Sequence, residues 1–391
     1  MNKIINESEQ QTVRRKCLFV ANTIKLHIKL FHLPYLKWFQ EQGWEVHVAA
    51  REDADIPYCD KIYNISIQGS PFKWKNISAY RQLKAIMEQE KYDIIHGHTP
   101  MGGVLARLCG KKFRKSGTKM IYTAHGFYYY KGAPLINWLL YYPVEKWLSK
   151  HTDALTTMNQ EDYQIAALKM KAKNLYYVPG VGLDTDKFSK PIIDRNTKRN
   201  ELGIPLDANV IISVGELRKR KNHQVAIRAI SRMKSDNLYY VICGQGDLKN
   251  YLEKMCIKLK VENRVIFLGF RTDTVDLLHM SDIFLFPSLQ EGLPVALMEA
   301  MAAGLPCVVS RIRGNIDLIE HDKGGFPCKV NKIDEYIDAV KKFLENDDLR
   351  YKMGEYNKKA VNKFNLSNVM NEMLKIYELY TQDNTLLLVR E

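Results

Sequence analysis

Short apolar segments alternate with helix-length segments along almost the whole chain of 391 residues. Most of these apolar segments are continuous, as is typical of parallel strands that are covered on both faces. Strands that alternate with helices predict a doubly wound α/β sheet, and two series of strands predict two such domains. The predicted strands are Cys17–Ala21, Val46–Ala50, Ile62–Ile67, Asp93–His96, Met120–Thr123 and Ala154–Met158, then Val210–Val214, Tyr239–Cys243, Val265–Leu268, Ile283–Phe286 and Cys307–Ser310.

A stretch rich in proline, glycine and charged residues separates the two series, from Val178 to about Pro205. We therefore assign residues 1–185 to a first domain and residues 186–365 to a second. The helical pattern over Leu349–Tyr380 is long enough to predict a helix that leaves the second domain. We expect this segment, residues 366–391, to pack back on the first domain.

The composition is that of a folded, cytoplasmic protein, with 46% hydrophobic and 26% charged residues. No apolar run reaches the length of a membrane span, and Met1 to Arg15 is too polar for a signal peptide. The seven cysteines are scattered and form no Cys-x-x-Cys pair, so neither disulfides nor a cysteine-bound zinc is expected.

The net charge of +14 is concentrated in the first half of the chain. Residues 101–150 hold nine basic residues and one acidic residue, and the basic segment is followed by the aromatic stretch from Trp138 to Trp147. Basic residues beside a Trp- and Tyr-rich helix favour contact with an anionic membrane surface. The alternative is that the aromatic stretch is a buried helix. Nucleic acid is not expected as a partner, because no recognition motif accompanies the charge.

Unusual residues follow four predicted strands of the second domain, at the edge where ligands bind to open α/β sheets. A basic run with Arg218 and Lys221 follows the first of these strands. The glycines of Gly244-Gln-Gly246 follow the second, where the backbone can approach a ligand closely. Phe270 and Arg271 follow the third. Each signal alone is weak, but together they predict a site for a nucleotide diphosphate.

The fourth strand leads into Glu291-Gly-Leu-Pro-Val-Ala-Leu-Met-Glu299. Pro294 fits the first turn of a helix, so Glu291 is predicted in a loop and Glu299 about one turn inside the helix. A helix start offers free N–H groups and a partial positive charge, which suit a phosphate. The two carboxylates would accept hydrogen bonds from sugar and ribose hydroxyls.

Three histidines lie near strand ends of the first domain. His125 is expected to face the cleft as a hydrogen-bonding group, His96 to be structural, and His98 to be either. The spacing of the three favours a loop over one tetrahedral metal site, so no metal is predicted.

The Glu291 and Glu299 pair resembles the Glu-x7-Glu motif of the retaining glycosyltransferases of the GT4 family, and the resemblance runs from Cys17 to about Tyr380. It implies the GT-B fold, in which two Rossmann-like domains face each other across the active site. It also implies a nucleotide-sugar donor. The resemblance implies that Glu291 binds hydroxyls of the transferred sugar and that Glu299 binds the ribose. It also implies that Lys221 binds the diphosphate and that His125 contacts the sugar ring. It assigns the remaining donor contacts to Gly244, Gly246, Phe270, Arg271 and the backbone amides of Leu293, Val295 and Ala296.

One position departs from the family pattern, because Glu216 stands where many members have an arginine that binds the diphosphate. Arg218 or Arg220 is expected to replace that arginine, and we favour Arg218 as a donor-binding residue. Since fixed cations and a helix start can stabilise the leaving diphosphate, the resemblance implies a reaction that needs no metal or cofactor.

Tyr122-Thr-Ala-His-Gly-Phe127 and Gly215-Glu-Leu217 are most similar to bacterial enzymes of capsule or exopolysaccharide assembly. The resemblance implies transfer of a hexosyl or N-acetylhexosaminyl group, from a UDP sugar, to a lipid-linked saccharide at the inner face of the cell membrane. The alternatives are a UDP-N-acetylglucosamine 2-epimerase and a non-catalytic subunit that binds the donor. The sequence does not reveal the oligomeric state.

Overall fold

The structure is a computed structural model that describes residues 14–382. In this range the chain forms two parallel sheets, which confirms the predicted doubly wound α/β architecture. The first sheet has the strand order β3-β2-β1-β4-β5-β6-β7 and the second β10-β9-β8-β11-β12-β13. The strands are β1 (Lys16–Thr23), β2 (Glu45–Arg51), β3 (Lys61–Asn64), β4 (Ile94–Gly97), β5 (Lys119–Ala124), β6 (Ala154–Thr157), β7 (Asn174–Tyr177), β8 (Asn209–Val214), β9 (Leu238–Cys243), β10 (Val265–Gly269), β11 (Ile283–Phe286), β12 (Cys307–Ser310) and β13 (Gly325–Cys328).

Helices connect the strands and cover both faces of each sheet. They are α1 (Lys29–Phe31), α2 (Leu33–Glu41), α3 (Lys75–Glu90), α4 (Pro100–Gly110), α5 (Leu135–Ser149), α6 (Gln160–Lys169), α7 (Thr185–Ser189), α8 (Arg195–Glu201), α9 (His223–Arg232), α10 (Lys249–Leu259), α11 (Thr274–His279), α12 (Val295–Ala302), α13 (Asn315–Leu318), α14 (Ile333–Leu344), α15 (Asp347–Ala360) and α16 (Leu366–Thr381). None of the helices in residues 14–382 combines the length and the apolar character needed to cross a bilayer.

Two strands of the structure were not predicted, and both lie at the edge of a sheet. Strand β7 is half-exposed along its length, so it lacks the apolar run that marks the other strands. Strand β13 has the sequence Gly-Phe-Pro-Cys, and its Pro327 argues against a strand except at an edge.

The predicted C-terminal helix is two helices with a break between them, so the prediction of one continuous helix is wrong. A 3-10 turn from Val361 to Phe364 separates α15 from α16. Asn365 then starts α16, because its side-chain oxygen accepts a hydrogen bond from the amide of Ser367 at 3.0 Å. The break lets α16 turn onto the first domain, where Tyr377 and Ile376 join the core around β1 and β2. Residues 383–391, the end of the predicted segment, lie outside the described residues.

The loops at the carboxyl ends of the two sheets meet at a pair of glycines. A Cβ atom on Gly292 would lie 2.1 Å from the carbonyl oxygen of His125, and one on Gly126 would lie 3.2 Å from the Cα of Gly292. Only glycine therefore fits at position 292 without moving the loop after β5 away from the loop after β11. The close approach brings the two predicted ligand-binding edges together on opposite sides of one cleft.

Candidate active site

Lys221 lies at the end of a 3-10 turn that leads from β8 into α9. The residue is buried, and its Nζ atom lies 4.4 Å from the centre of the Phe286 ring. Burial lowers the pKa of Lys221, and the negative charge of Glu291 opposes this effect. The local structure thus holds a cation where a solvated surface lysine could have been expected.

Glu291 lies in the loop between β11 and α12, as predicted, and its carboxylate is directed at Lys221. The Oε1 atom lies 2.8 Å from Nζ of Lys221. The relative exposures of Glu291 and Lys221 are 8% and 7%, so this ion pair is shielded from bulk water. Residues that are 70 positions apart in the sequence are therefore brought to one point, as the strand-end pattern predicted.

Of the two arginines that could replace the missing family arginine, Arg220 is the one that reaches this ion pair. Its Nη1 atom lies 3.2 Å from Oε1 of Glu291, and its Nη2 atom lies 3.3 Å from the carboxylate of Glu216. Arg218 is exposed, and its Nε atom lies 3.9 Å from the carboxylate of Glu216. By its contacts Arg220 is the better placed of the two to replace the family arginine, and the donor-binding role of Arg218 stays a prediction. Glu216 lies beside both arginines, so its charge is compensated.

Helix α12 begins directly after Pro294, and its free amino end lies next to Glu291. The amide of Leu297 is the first to bond back, to the carbonyl oxygen of Pro294 at 3.2 Å, so the amides of Val295 and Ala296 precede the first intrahelical bond. Glu299 is the fifth residue of the helix and is half-buried. Burial raises the pKa of Glu299 to about 7, with a smaller opposing effect of Lys187.

The two glycines after β9 lie against the loop after β8. A Cβ atom on Gly244 would lie 1.9 Å from the carbonyl oxygen of Gly215, and one on Gly246 would lie 2.6 Å from that of Leu217. Larger residues at these positions would separate the two loops. Glycine is needed at both positions because there is no room for a Cβ atom. The close contact also means that backbone atoms line one side of the proposed nucleotide pocket.

Phe270 and Arg271 follow β10 at the same edge of the sheet. The ring of Phe270 is exposed, whereas the guanidinium group of Arg271 binds Asp273 at 2.7 Å and Glu201 at 3.1 Å. These ion pairs raise the pKa of Arg271 and compensate its charge. Leu293, the third predicted backbone donor of the Glu291 loop, packs against Gly180 of the interdomain segment, where a Cβ atom would come within 2.8 Å of its side chain.

The three predicted histidines have different surroundings. His96 is structural, as expected, because its ring nitrogens bond to the hydroxyls of Tyr377 at 2.7 Å and Thr123 at 2.8 Å. His125 is half-buried beside Gly292, at the point where the two domains meet. His98 is fully buried, and its ring stacks on Phe19.

Arg313 joins the two sides of the cleft, although it was not predicted from the sequence. Its buried guanidinium group donates to the carbonyl oxygen of Glu291 at 3.1 Å, and it also contacts Asp162 and the carbonyl oxygen of Phe127 in the first domain. Burial raises the pKa of Asp162, although the positive charge of Arg313 acts against this. A signal was present, because Arg313 follows β12 at the same sheet edge as the other candidates.

Two family models match the chain, each over one domain. Residues 16–159 match the model described as "Glycosyl transferase 4-like", and residues 194–360 match "Glycosyl transferases group 1". A Bacillus subtilis protein named as a glycosyltransferase, EpsD, is 38% identical over 95% of this chain and 98% of its own length. The Escherichia coli protein named "UDP-Gal:alpha-D-GlcNAc-diphosphoundecaprenol alpha-1,3-galactosyltransferase" is 31% identical over 79% of this chain and 82% of its own.

Solved structures of other proteins share the two-domain arrangement. The Anabaena protein HepE, in complex with UDP and glucose, has a TM-score of 0.77 at 18% identity, covering 94% of this chain and 100% of its own. WaaG, a glycosyltransferase of lipopolysaccharide biosynthesis, has a TM-score of 0.73 at 18% identity, covering 94% and 100%. At these identities the likeness concerns the fold, which is GT-B, as the resemblance implied. With both domains matched by family models and a relative that is similar over nearly its full length, the chain belongs to the group 1, GT4-like family of glycosyltransferases.

Proposed function

We propose that this glycosyltransferase transfers a hexosyl or N-acetylhexosaminyl group from a UDP sugar to a lipid-linked saccharide, with retention of the anomeric configuration. The observation that carries the proposal is the buried contact between Lys221 and Glu291, 2.8 Å long, at the free amino end of α12. Positive groups and a helix start beside a carboxylate suit a sugar that is bound through a diphosphate.

The leaving group develops negative charge when the anomeric bond breaks, and the fixed charges of the cleft can stabilise it. Lys221 and Arg220 contact Glu291, and the free amides of Val295 and Ala296 follow where the same loop enters α12. When the donor binds, its diphosphate takes the place of Glu291 as the partner of Lys221, and Glu291 becomes free to accept hydrogen bonds from the sugar. This step requires neither a metal at the diphosphate nor a cofactor, since the nucleotide sugar is the substrate.

The residues that face the other reaction partners follow from the family roles. His125 and Glu291 contact the sugar, Glu299 binds the ribose, and the loops at Gly244, Gly246, Phe270 and Arg271 surround the nucleotide. The HepE complexes with UDP and glucose and with UDP-glucose support UDP as the nucleotide. For the reaction we propose attack of the acceptor on the same face from which UDP departs, with a donor phosphate oxygen accepting the acceptor proton.

An apolar cavity of about 240 Å³ in the first domain supports a lipid-linked acceptor. Gly126, the neighbour of His125, belongs to its lining, so the cavity lies beside the proposed reaction centre. The rest of the lining is mostly apolar and includes Phe72, Met101, Val104, Leu140 and Val144. Such a lining can hold the first isoprenoid units of a lipid diphosphate while the saccharide lies near His125. The name of the Escherichia coli relative includes a diphosphoundecaprenol-linked N-acetylglucosamine, which favours this class of acceptor.

The outer surface of α5 supports a location on the membrane. The interpretation of Trp138 to Trp147 as a simply buried helix is wrong, because the helix leaves a row of large apolar side chains in solvent: Leu135, Ile136, Leu139, Leu140, Val144 and Trp147. Lys111 lies at the far end of this row, with its Nζ atom 5.2 Å from the centre of the Trp147 ring. An exposed apolar helix face with lysines beside it is typical of proteins that lie on an anionic membrane surface.

Part of the predicted basic patch has partners in the folded protein. Arg114 binds Asp153 at 2.6 Å, and Lys112 contacts Glu88. We therefore assign the membrane contact to the apolar face of α5, with the lysines in a supporting role.

Turnover with a defined acceptor tests the proposed reaction. We expect release of UDP from one UDP sugar of a panel, only in the presence of a saccharide diphosphate with a polyprenyl or long alkyl chain. The anomeric configuration of the product, determined by NMR, should match that of the donor. Conversion of UDP-N-acetylglucosamine without an acceptor would instead indicate an epimerase, and binding of UDP sugars without turnover on any acceptor would indicate a non-catalytic subunit.

Binding to vesicles tests the membrane surface. We expect Leu139→Glu to weaken binding to vesicles with anionic lipids, because a charge then enters the apolar face of α5. Ile257→Glu on α10 is a matched control, since Leu139 and Ile257 are both 63% exposed. Equal binding of the two variants would contradict the assignment of α5 to the membrane.

A further inference from the structure

Four histidines of the first domain converge at the carboxyl end of its sheet. His27 lies in a single π-helical turn after β1, and His32 precedes α2. His98 follows β4 and His125 follows β5. Because β1, β4 and β5 are neighbours in the sheet, loops that are far apart in the sequence place their imidazole rings together. Of these four histidines, only His98 and His125 were considered as metal ligands from the sequence, together with His96. Their spacing did not indicate a ligand set, because His27 and His32 come from a different part of the chain.

The distances within the cluster fit one small ion. Each histidine offers a ring nitrogen that lies within 4.8 Å of those of the other three. The Nε2 atoms of His27 and His32 are 3.2 Å apart. A tetrahedral ion with metal–nitrogen bonds of about 2.0–2.1 Å places its ligand atoms roughly 3.3 Å from each other. Small rotations of the rings would therefore convert the present arrangement into a coordination site.

Several nitrogens of the cluster lack a hydrogen-bond partner within residues 14–382. Both ring nitrogens of His98 lack a hydrogen-bond partner, and bulk water cannot take that place because the residue is only 1% exposed. Nδ1 of His32 and Nε2 of His125 are also buried without a partner. Leaving such groups unpaired costs free energy, so a cluster of this kind points to a ligand that satisfies them.

Two other sites in the first domain contain histidines whose ring nitrogens all have hydrogen-bond partners. The ring of His96 lies 3.9 Å from that of His98, yet both of its nitrogens have hydroxyl partners. His47 lies near Glu45 and Glu90, but its nitrogens bond to Tyr92 and Glu45, and the carboxylate of Glu90 is paired with lysines. The cluster of four therefore differs from both sites in its unused ligand atoms.

We propose that His27, His32, His98 and His125 bind one first-row transition-metal ion, with Zn²⁺ as the ion that best fits a tetrahedral set of imidazoles. Burial lowers the pKa of all four rings, and that of His27 to about 4, so the rings are neutral at pH 7 as metal ligands must be. Mg²⁺ and Ca²⁺ are excluded as ions for this set of imidazole ligands, because they prefer oxygen ligands.

The ion would act on the proposed reaction by positioning His125. A metal on one ring nitrogen fixes the other as an N–H donor and sets the orientation of the ring. This consequence, unlike the metal site itself, rests on the proposed function, in which His125 contacts the donor sugar. The ion has no part in stabilising the diphosphate, which we assign to groups of the second domain.

Metal binding by the purified full-length chain tests the proposal without any substrate. After treatment with a chelator and dialysis, we expect one equivalent of added Zn²⁺ to remain bound through gel filtration, as measured by elemental analysis. Co²⁺ in place of Zn²⁺ should give the intense visible absorption of a tetrahedral complex. Less than a tenth of an equivalent of Zn²⁺, with no change in the melting temperature, would overturn the proposal and leave the cluster as a set of neutral, packed histidines.

Variants locate the ion within the protein. His32→Asn and His98→Asn should each lower the bound Zn²⁺ at least tenfold at micromolar concentrations, whereas His321→Asn, at an exposed histidine, should bind as the wild type does. Circular dichroism of the metal-free proteins separates loss of ligands from loss of folding. If His32→Asn and His98→Asn fold and retain the ion, the ion lies elsewhere and the proposal is wrong.

Kinetics then tests the effect on His125. Loading with Zn²⁺ should change the KM for the UDP sugar and leave the dissociation constant of UDP unchanged, because UDP lacks the hexosyl group that is proposed to contact His125. Binding of Zn²⁺ with no change in this KM would support the metal site and contradict its proposed effect on donor binding.

Discussion

On the second-domain side of the cleft, Lys221 and Glu291 form a buried ion pair with Arg220 beside it. On the first-domain side, burial lowers the pKa of four histidines, and an apolar cavity lies next to one of them, His125. Both groups of residues lie at the carboxyl ends of parallel strands, and both sheets have the same doubly wound topology. Before the proposed metal ion binds, the same architecture therefore presents fixed charge on one side of the cleft and neutral imidazole rings on the other.

The difference follows from what each side would have to bind. A diphosphate leaving group gains charge during the reaction, and charges that are already in place stabilise it without reorganisation. The lipid chain and the saccharide of a lipid-linked acceptor bring apolar surface and hydroxyl groups, for which neutral donors and acceptors are sufficient. Fold similarity between the two halves thus says little about chemistry, which depends on the side chains at the strand ends.

Removing the contact that joins the two sides should have the largest effect. In Arg313→Ala, Asp162 stays buried without its cation, and the carbonyl oxygens of Phe127 and Glu291 lose a donor. We expect a loss of about 3–5 kcal/mol in the free energy of unfolding, as for other broken buried ion pairs. Urea denaturation measures this loss. Arg311→Ala, at an exposed arginine two positions away, is the control, and an equal loss in both variants would contradict the assigned role of Arg313.

Removing charge from the second-domain side should slow the reaction. We expect Lys221→Ala and Glu291→Ala each to lower the turnover rate about a hundredfold, or roughly 3 kcal/mol of transition-state stabilisation. The exposed neighbour Lys219 provides the control variant Lys219→Ala, which should keep the wild-type rate. If Lys221→Ala and Lys219→Ala turn over equally fast, the fixed charge of Lys221 has no part in catalysis.

The variants Lys221→Ala and Glu291→Ala should also differ in their stability towards thermal unfolding, which tests how the charges of the ion pair are compensated. After Lys221→Ala, Glu291 still has Arg220 within 3.2 Å. After Glu291→Ala, the buried ammonium group of Lys221 has lost the carboxylate that compensated it. We therefore expect Glu291→Ala to be the less stable variant in thermal unfolding, and the reverse order would show that Arg220 does not compensate Glu291.

The sequence predicted the strand ends of this site better than it predicted the contacts across the cleft. Continuous apolar runs located the buried strands, and Pro294 located the start of α12, because both signals are local. Arg313 was missed since its partners, Asp162 and Phe127, belong to the other domain and are distant in sequence. The choice between Arg218 and Arg220 is hard to make from the sequence for a related reason, because the direction of a side chain in a loop depends on tertiary contacts.

The histidine cluster shows the same limit in another form. His27 and His32 follow β1, whereas His98 and His125 follow β4 and β5, and only the strand order of the folded sheet makes these loops neighbours. No sequence spacing encodes that order. The edge strands β7 and β13 were missed because an edge position relaxes the very patterns by which strands are recognised.

The smallest predicted effect concerns Glu299, an acidic residue on the second-domain side of the cleft. Burial raises the pKa of Glu299 to about 7, above its ordinary value near 4.5. The folded state therefore favours the protonated form, and Glu299 lowers folding stability as the pH rises from about 4.5 to 7. A ribose hydroxyl donates to a carboxylate better than to a carboxylic acid. Binding of UDP should thus favour the ionised form and strengthen as the pH rises through 7.

Calorimetry of UDP binding at pH 6 and pH 8 measures this coupling. We expect the affinity of the wild-type protein to rise several-fold, with an upper limit of about tenfold for each pH unit below the pKa. The phosphate of UDP also titrates near pH 6, so Glu299→Gln must be measured in parallel, because it retains that contribution and removes the carboxyl group.

A smaller rise in Glu299→Gln would place a neutral carboxyl group among the fixed charges of the donor side. The division into a charged and an uncharged side would then depend on pH. Equal rises in the two proteins would mean that Glu299 does not titrate in contact with the nucleotide.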